Sequence, residues 1–162
     1  MSQLIEEIST GQLKDLLGKP AIKIIDARPV EAYNGWVLKN EPRGGHIKGA
    51  KSLPEKWLKY LDWIEIVRHK NIMPGDNIVI YGYTRDETDR VAMRFLRSGY
   101  SKVFIYNRFI DEWTRNPGLP MDHLANYRHL VSAEWVKELI SGSKPAEYEN
   151  SKYIIVHSHY RN

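Results

Sequence analysis

The sequence predicts an α/β fold, a mostly parallel sheet covered by helices on both faces. Two observations carry this. Three short runs of β-prone apolar residues, "AIKIID", "IVIY" and "KVFIY", lie far apart in the chain, and the segments between them carry apolar residues at helical spacing. Parallel neighbours need a crossover of a dozen or more residues, usually a helix, so this alternation favours a parallel sheet. The composition agrees: 162 residues, 42% hydrophobic and 27% charged, describe a folded chain of about one ordinary domain rather than a disordered one.

Residues 8–18, "ISTGQLKDLLG", read as a short helix. Ser9 or Thr10 can cap it, Leu13, Leu16 and Leu17 form its apolar face, and Gly18 with Pro20 stops it. Ile22, Ile24 and Ile25 form a mostly buried strand with Asp26, Ala27 and Arg28 at its carboxyl end. Residues 30–50 are loop-rich, with Gly35, Pro42, Gly44, Gly45 and Gly49, and a short strand follows at 51–53. Pro54 opens a helix carrying Trp57, Leu58, Leu61, Ile64 and Ile66 or Val67 on its apolar side. "MPGDN" at 73–77 is a turn, and "IVIY" is the second buried strand. An amphipathic helix over 88–98 uses Val91, Ala92, Phe95 and Leu96, and Gly99 ends it. "KVFIY" is the third strand, "FIDEW" at 109–113 a further helical turn, and "NPGLP" closes the unit. Ligands of such sheets bind at the carboxyl ends of the strands. That edge is expected to carry Asp26 to Arg28, Gly82 to Thr88, and Tyr106 to Arg108.

Several functions are disfavoured by composition. The formal net charge is +4, but 24 basic residues are scattered among 20 acidic ones without a basic run, so no nucleic-acid partner is expected. No apolar run approaches the ~20 residues of a membrane helix. "MSQLIEEIST" has no apolar signal core, so a cytoplasmic protein is expected if Met1 is the native start, and the compartment is otherwise open. The chain has no cysteine, which removes disulfides, cysteine-type metal sites and thiolate chemistry. No cofactor is expected.

The tail repeats the front. "ISTGQLKDLLG-KP" (8–20) aligns with "VSAEWVKELISGSKP" (131–145): Ser9 with Ser132, Lys14 with Lys137, Asp15 with Glu138, Leu16 with Leu139. A β run follows each, "IKIIDAR" and "YIIVHSH". The pattern restarts near residue 131 and covers one helix and one strand, as in the front of a second repeat.

"IIDARPVEAYNGW", "GGHIKGAKSLP", "IVIYG", "DRVAMRFLRSGYSKVFIYNRFIDEW" and the restart at 131 together resemble rhodanese-type sulfurtransferases over nearly the whole chain. The resemblance implies a rhodanese-like three-layer α/β/α fold with a mostly parallel central sheet of about five strands. It implies a rhodanese-like domain at 1–125, followed at 126–162 by a linker and the first helix and strand of a second, truncated repeat. "RPVEAYNGW" resembles the first domain of tandem sulfurtransferases, whose early domains often lack the catalytic loop. Active members carry a cysteine at the start of the loop after the fourth strand. Its persulfide carries sulfane sulfur from thiosulfate or 3-mercaptopyruvate to an acceptor. Backbone N–H groups, a helix N-terminus and a cation suit that anionic donor.

Gly82 stands where that cysteine is expected, so no catalytic residue is assigned, and Gly82, Tyr83, Thr84, Arg85, Asp86, Glu87 and Thr88 form a vestigial loop. Asp86, Glu87 and Asp89 outnumber Arg85 and Arg90 there, and carboxylates in such a cradle repel an anion. Arg85 with Tyr83 is the best contact for a small anion. Thr88 fits the N-cap of a helix beginning at Asp89. Asn107 and Arg108 replace a glycine pair of the family pattern. Asp26 and Arg28 read as a structural ion pair with Glu31, and His46 as a packed turn residue bonded to backbone. His157 and His159 alternate like zinc ligands, but with no cysteine near they read as strand-end residues. Trp36 and the loop "NGWVLKNEPR" form the expected interdomain patch. The expected partner is a following rhodanese domain of the same polypeptide. The alternative is a stand-alone inactive module that binds a protein or a small anion.

Overall fold

A computed structural model describes residues 5–145, 148 and 152–157. In chain order the elements are β1 (Glu6–Glu7), α1 (Thr10–Leu16), β2 (Ile22–Asp26), α2 (Val30–Asn34), β3 (His46–Ile47), β4 (Lys51–Ser52), a 3-10 turn (Glu55–Lys59), α3 (Trp63–His69), β5 (Asn77–Tyr81), α4 (Arg85–Arg97), β6 (Val103–Tyr106), a π turn (Phe109–Trp113), β7 (Met121–Asp122), a 3-10 turn (Tyr127–His129) and α5 (Ala133–Ile140). The chain divides into two compact units, the first running to Leu130 and the second starting at Val131.

Five strands of the first unit form one parallel sheet in the order β1-β6-β5-β2-β4. The expected mostly parallel sheet of about five strands is present. Side chains of a strand alternate between faces, and the core follows that period of two. Ile25, Ile78, Ile80 and Ile105 point to one face, where Trp63 and Val67 of α3 and Val91, Ala92 and Phe95 of α4 cover them. Ile24, Val79, Tyr81 and Tyr106 point to the other, under Leu13 of α1 and Phe109 and Trp113 of the π turn. Each large side chain buried this way contributes roughly 1.5–3 kcal/mol. Both faces are thus sealed, and polar chemistry is left to the sheet's edges. The register sets Asp26 beside Tyr81 and Tyr81 beside Tyr106, so the three central strands end level.

Local chemistry moved several boundaries. The helix expected at 88–98 starts at Arg85, because Thr84 and Glu87 form a reciprocal capping box three residues apart. The single helix expected after Pro54 is two pieces, with Tyr60 extended between them. At 100° per residue an unbroken helix would turn Trp57 roughly 120° away from Trp63. The break lets Trp63 enter the core while Trp57 and Leu58 pack at its margin. β1, β3 and β7 are pairs of residues with no run long enough to read in sequence. In the second unit Ser132 caps α5 by accepting from Trp135 N–H, as Ser9 caps α1 by accepting from Gln12 N–H. A strand is expected over "YIIVHSH", residues 153–159; its described part, 153–157, carries no regular ladder, since no strand among the described residues pairs with it. His159 lies outside the described residues.

Candidate functional site

The level ends of β2, β5 and β6 place Asp26, Gly82 and Asn107 along one edge, with the N-terminus of α4 behind Gly82. In this geometry first-turn N–H groups point into the loop and favour an anion. Here the anion is internal. Glu87 Oε2 accepts from Tyr83 N–H at 2.8 Å and from Thr84 N–H at 3.2 Å. Thr84 Oγ1 in turn accepts from Glu87 N–H at 3.2 Å. Gly82 is buried beneath this carboxylate, and a β-carbon there would lie 3.1 Å from Glu87 Oε2 and 3.3 Å from Thr88 Cγ2.

The other charges of the loop are also engaged. Arg85 pairs with Glu7 at 2.9 Å and Asp89 at 3.5 Å. Asp86 pairs with Arg90 at 3.0 Å, and Arg90 with Glu55 at 2.8 Å. Thr88 is not an N-cap. It lies buried inside α4 and donates its hydroxyl to Arg85 C=O at 2.8 Å and Asn107 Oδ1 at 2.9 Å. The cap four residues earlier makes Thr88 the lock between α4 and the end of β6. Asn107 also reaches Glu7, and Arg108 has an ordinary negative φ of −106°, so this turn needs no glycine.

Beneath the loop sits a buried ionic cluster. Arg28 grips Asp26 with both arms, Nε to Oδ1 at 2.9 Å and Nη2 to Oδ2 at 2.6 Å, and donates to Gly45 C=O at 2.7 Å. Tyr81 Oη donates to Asp26 Oδ2 at 2.6 Å, and the Phe109 ring lies 4.2 Å from the guanidinium carbon. The pairing with Glu31 expected from sequence does not form. Residues 26 and 28 leave the strand end on the same side, so their side chains meet directly. The second carboxylate comes from Glu41, whose Oε1 lies 3.6 Å from Arg28 Nη1. Glu41 also accepts the Tyr83 hydroxyl and the N–H groups of Leu38 and Lys39. The loop at 82–88 is thereby tied to the loop at 38–41. Glu41 has no local pattern that reveals it, because its side-chain partners Arg28 and Tyr83 are 13 and 42 residues away.

These contacts shift the titrations. Burial pulls the Arg28 guanidinium down, but the Asp26 carboxylate beside it, together with Tyr81 and Tyr83, outweighs that and holds it above its usual range. Burial raises the Tyr83 hydroxyl, and its bond to Glu41 raises it further. Burial raises Tyr81 in the same direction, with Asp26 adding to it. His46 stacks on Tyr33 with ring centroids 3.8 Å apart, and its Nδ1–H donates to Tyr33 C=O at 2.7 Å. Trp36 donates its indole N–H to Leu130 C=O at 3.0 Å, packs edge-on against Tyr127, and leads into Val37 and Leu38, which are 50% and 46% exposed. Among the described residues no three His, Asp or Glu side chains converge as a metal site, and no helix is long and apolar enough to cross a membrane.

Comparison with known proteins supplies relatives. The profile of the rhodanese-like domain matches residues 9–116. The chain is 26% identical over 152 residues to the thiosulfate sulfurtransferase YnjE of Escherichia coli (strain K12), covering 90% of this chain and 33% of that protein. It superposes on EanB in complex with hercynine at a TM-score of 0.91 and 52% identity, covering 98% of this chain and 37% of the other. An EanB cysteine persulfide captured with ergothioneine gives 0.89 and 53%, covering 96% and 37%. The anaerobic ergothioneine biosynthesis enzyme from Chlorobium limicola, in complex with its natural substrate trimethyl histidine, gives 0.91 and 52%, covering 98% and 37%. The chain thus spans about a third of the length of the relatives it matches.

Proposed function

This chain belongs to the rhodanese-like domain family, and on that footing we propose that it is a non-catalytic domain of a tandem sulfurtransferase. Its work is to brace a second rhodanese domain that carries the reactive cysteine, and to form one wall near that domain's substrate entrance. Sulfane sulfur rides on that cysteine as a persulfide. The donor is of the thiosulfate or 3-mercaptopyruvate class. At 52% identity to EanB, the acceptor proposed for the longer polypeptide is a trimethylated histidine.

One observation carries the non-catalytic part. The cradle that would hold a persulfide or its anionic donor is filled by Glu87 Oε2, and the position beneath it is Gly82 in a chain without cysteine. The like capping of α1 and α5 supports the tandem reading, since a Ser-capped helix near the start of the first unit is matched by one opening the second. The half-exposed Val37 and Leu38 beside Trp36 are the apolar surface proposed for the bracing contact. The purified chain, given thiosulfate and cyanide, is expected to form no thiocyanate above a heat-killed control. A polypeptide joining it to a cysteine-bearing rhodanese domain is expected to transfer sulfur to trimethyl histidine. Turnover by the isolated chain would overturn the assignment.

A further inference from the structure

The outer face of α4 has a charge pattern that the sulfurtransferase reading does not use. Asp86, Arg90, Met93 and Arg97 recur at spacings of four, three and four, so at 100° per residue they form one stripe. Asp89 and Arg94 flank it. With Leu58 these six residues line a surface groove of about 400 Å³. The stripe is acidic at its amino end and basic at its carboxyl end. Asp86 and Arg97 are equidistant from the midpoint between Val91 and Ala92, as are Asp89 and Arg94, and Arg90 and Met93. A second α4 laid antiparallel about a twofold axis through that midpoint would therefore set Asp86 against Arg97, and Asp89 against Arg94, twice over. Met93 of each copy would meet the aliphatic stem of Arg90 of the other, with Leu58 on the groove floor.

We propose that this face is a self-association surface, with a second copy of this chain as its occupant. Charge self-complementarity is the argument. A twofold contact requires one patch to complement itself, and this stripe does so residue by residue. The side chains are available. Asp86 is 86% exposed at its side chain, Met93 is 37% exposed, and the Arg97 side chain is exposed and has no hydrogen bond or ion pair among the described residues. The present partners of Asp86 and Asp89 are exposed i,i+4 pairs, which are weak and exchange at little cost. Arg94 is already held over the Trp63 ring at 5.4 Å.

The test is sedimentation equilibrium on the chain over a concentration series at low and high salt. The expected result is a monomer–dimer equilibrium that shifts to monomer as the Debye length falls from about 10 Å at 0.1 M to about 3 Å at 1 M salt. Asp86→Arg alone and Arg97→Asp alone are each expected to weaken the dimer about tenfold or more. Both in one chain restore opposite charges across the twofold, so the double variant is expected to recover the wild-type constant within about threefold. Far-UV circular dichroism confirms that each variant is folded, and Met93→Lys serves as a further variant should Asp86→Arg unfold. A wild-type chain that stays monomeric throughout would overturn the proposal. So would single variants that dimerise as well as wild type, or a double variant that fails to recover.

Discussion

A β-carbon on Gly82 would come within 3.1 Å of the Glu87 carboxylate, and this distance governs what a restored cysteine could do. The backbone there lies outside the left-handed region, so a side chain meets no strain from φ. A thiolate would face a carboxylate, and the N–H groups of Tyr83 and Thr84 would already be committed to that carboxylate. Gly82→Cys alone is therefore expected to give a sluggish thiol. Gly82→Cys with Glu87→Ala frees those N–H groups and the α4 N-terminus, and is expected to lower the thiol pKa by about one unit or more relative to the single variant. Iodoacetamide alkylation against pH measures both, and superimposable profiles would sink the idea. The buried Arg28 makes a second case. Arg28→Met strands the Asp26 and Glu41 carboxylates and is expected to cost about 3–5 kcal/mol in urea unfolding. Asp26→Leu with Arg28→Met removes both members of the tight pair and is expected to cost less than Arg28→Met alone. A single-variant loss under about 1 kcal/mol would show that the pair is dispensable. Asp26 and Arg28 could be found from sequence by their spacing, whereas Glu41 could not, because only the folded loops bring it to them.

The strands and the long helix were legible because their signals are local. Ile22–Asp26, Asn77–Tyr81 and Val103–Tyr106 are apolar runs between turn residues, and the apolar face of α4 repeats over three turns. α4 starts four residues before the cap expected at Thr88, because Glu87 stands three residues after Thr84 and completes a capping box that Val91 cannot give Thr88. The two-residue strands depend on register with distant partners, which no local pattern encodes. The end of β6 allows a pH test. Tyr106 is pushed up from 10.0 to about 12, first by burial and then by Glu112 against the opposing bond to Thr10. Between those values the folded chain holds a proton that the unfolded chain has lost. This contribution is complete below pH 10 and is lost as pH rises through about 12. Unfolding free energy is therefore expected to fall over this interval, and to fall less steeply in Tyr106→Phe. Equal slopes for the two proteins would show that Tyr106 is not linked to folding.

Both apolar clusters lie within the first unit, and every member of each precedes residue 122. Trp36 ties the end of that unit back by bonding to Leu130 C=O, so the last residue needed for this closure is Leu130 itself. The like capping of α1 and α5 had a sequence signal, because Ser9 and Ser132 stand at matching positions, as do Leu16 and Leu139. What could not be read there was how the second segment would fold, since a parallel strand is stable only beside another. These facts bear on where stability resides. The members of the two core clusters, of the Arg28 cluster and of the α4 cap all lie within the first unit. A chain ending at Leu130 is expected to unfold in one cooperative transition, with a thermal midpoint within about 4 °C of the parent, the shift that roughly 1 kcal/mol causes at this size. Scanning calorimetry of the two chains at equal concentration checks this. A broad transition, or a midpoint lowered by about 10 °C or more, would mean that the later segment contributes to the stability of the first unit, and would move the boundary of the folding unit past Leu130.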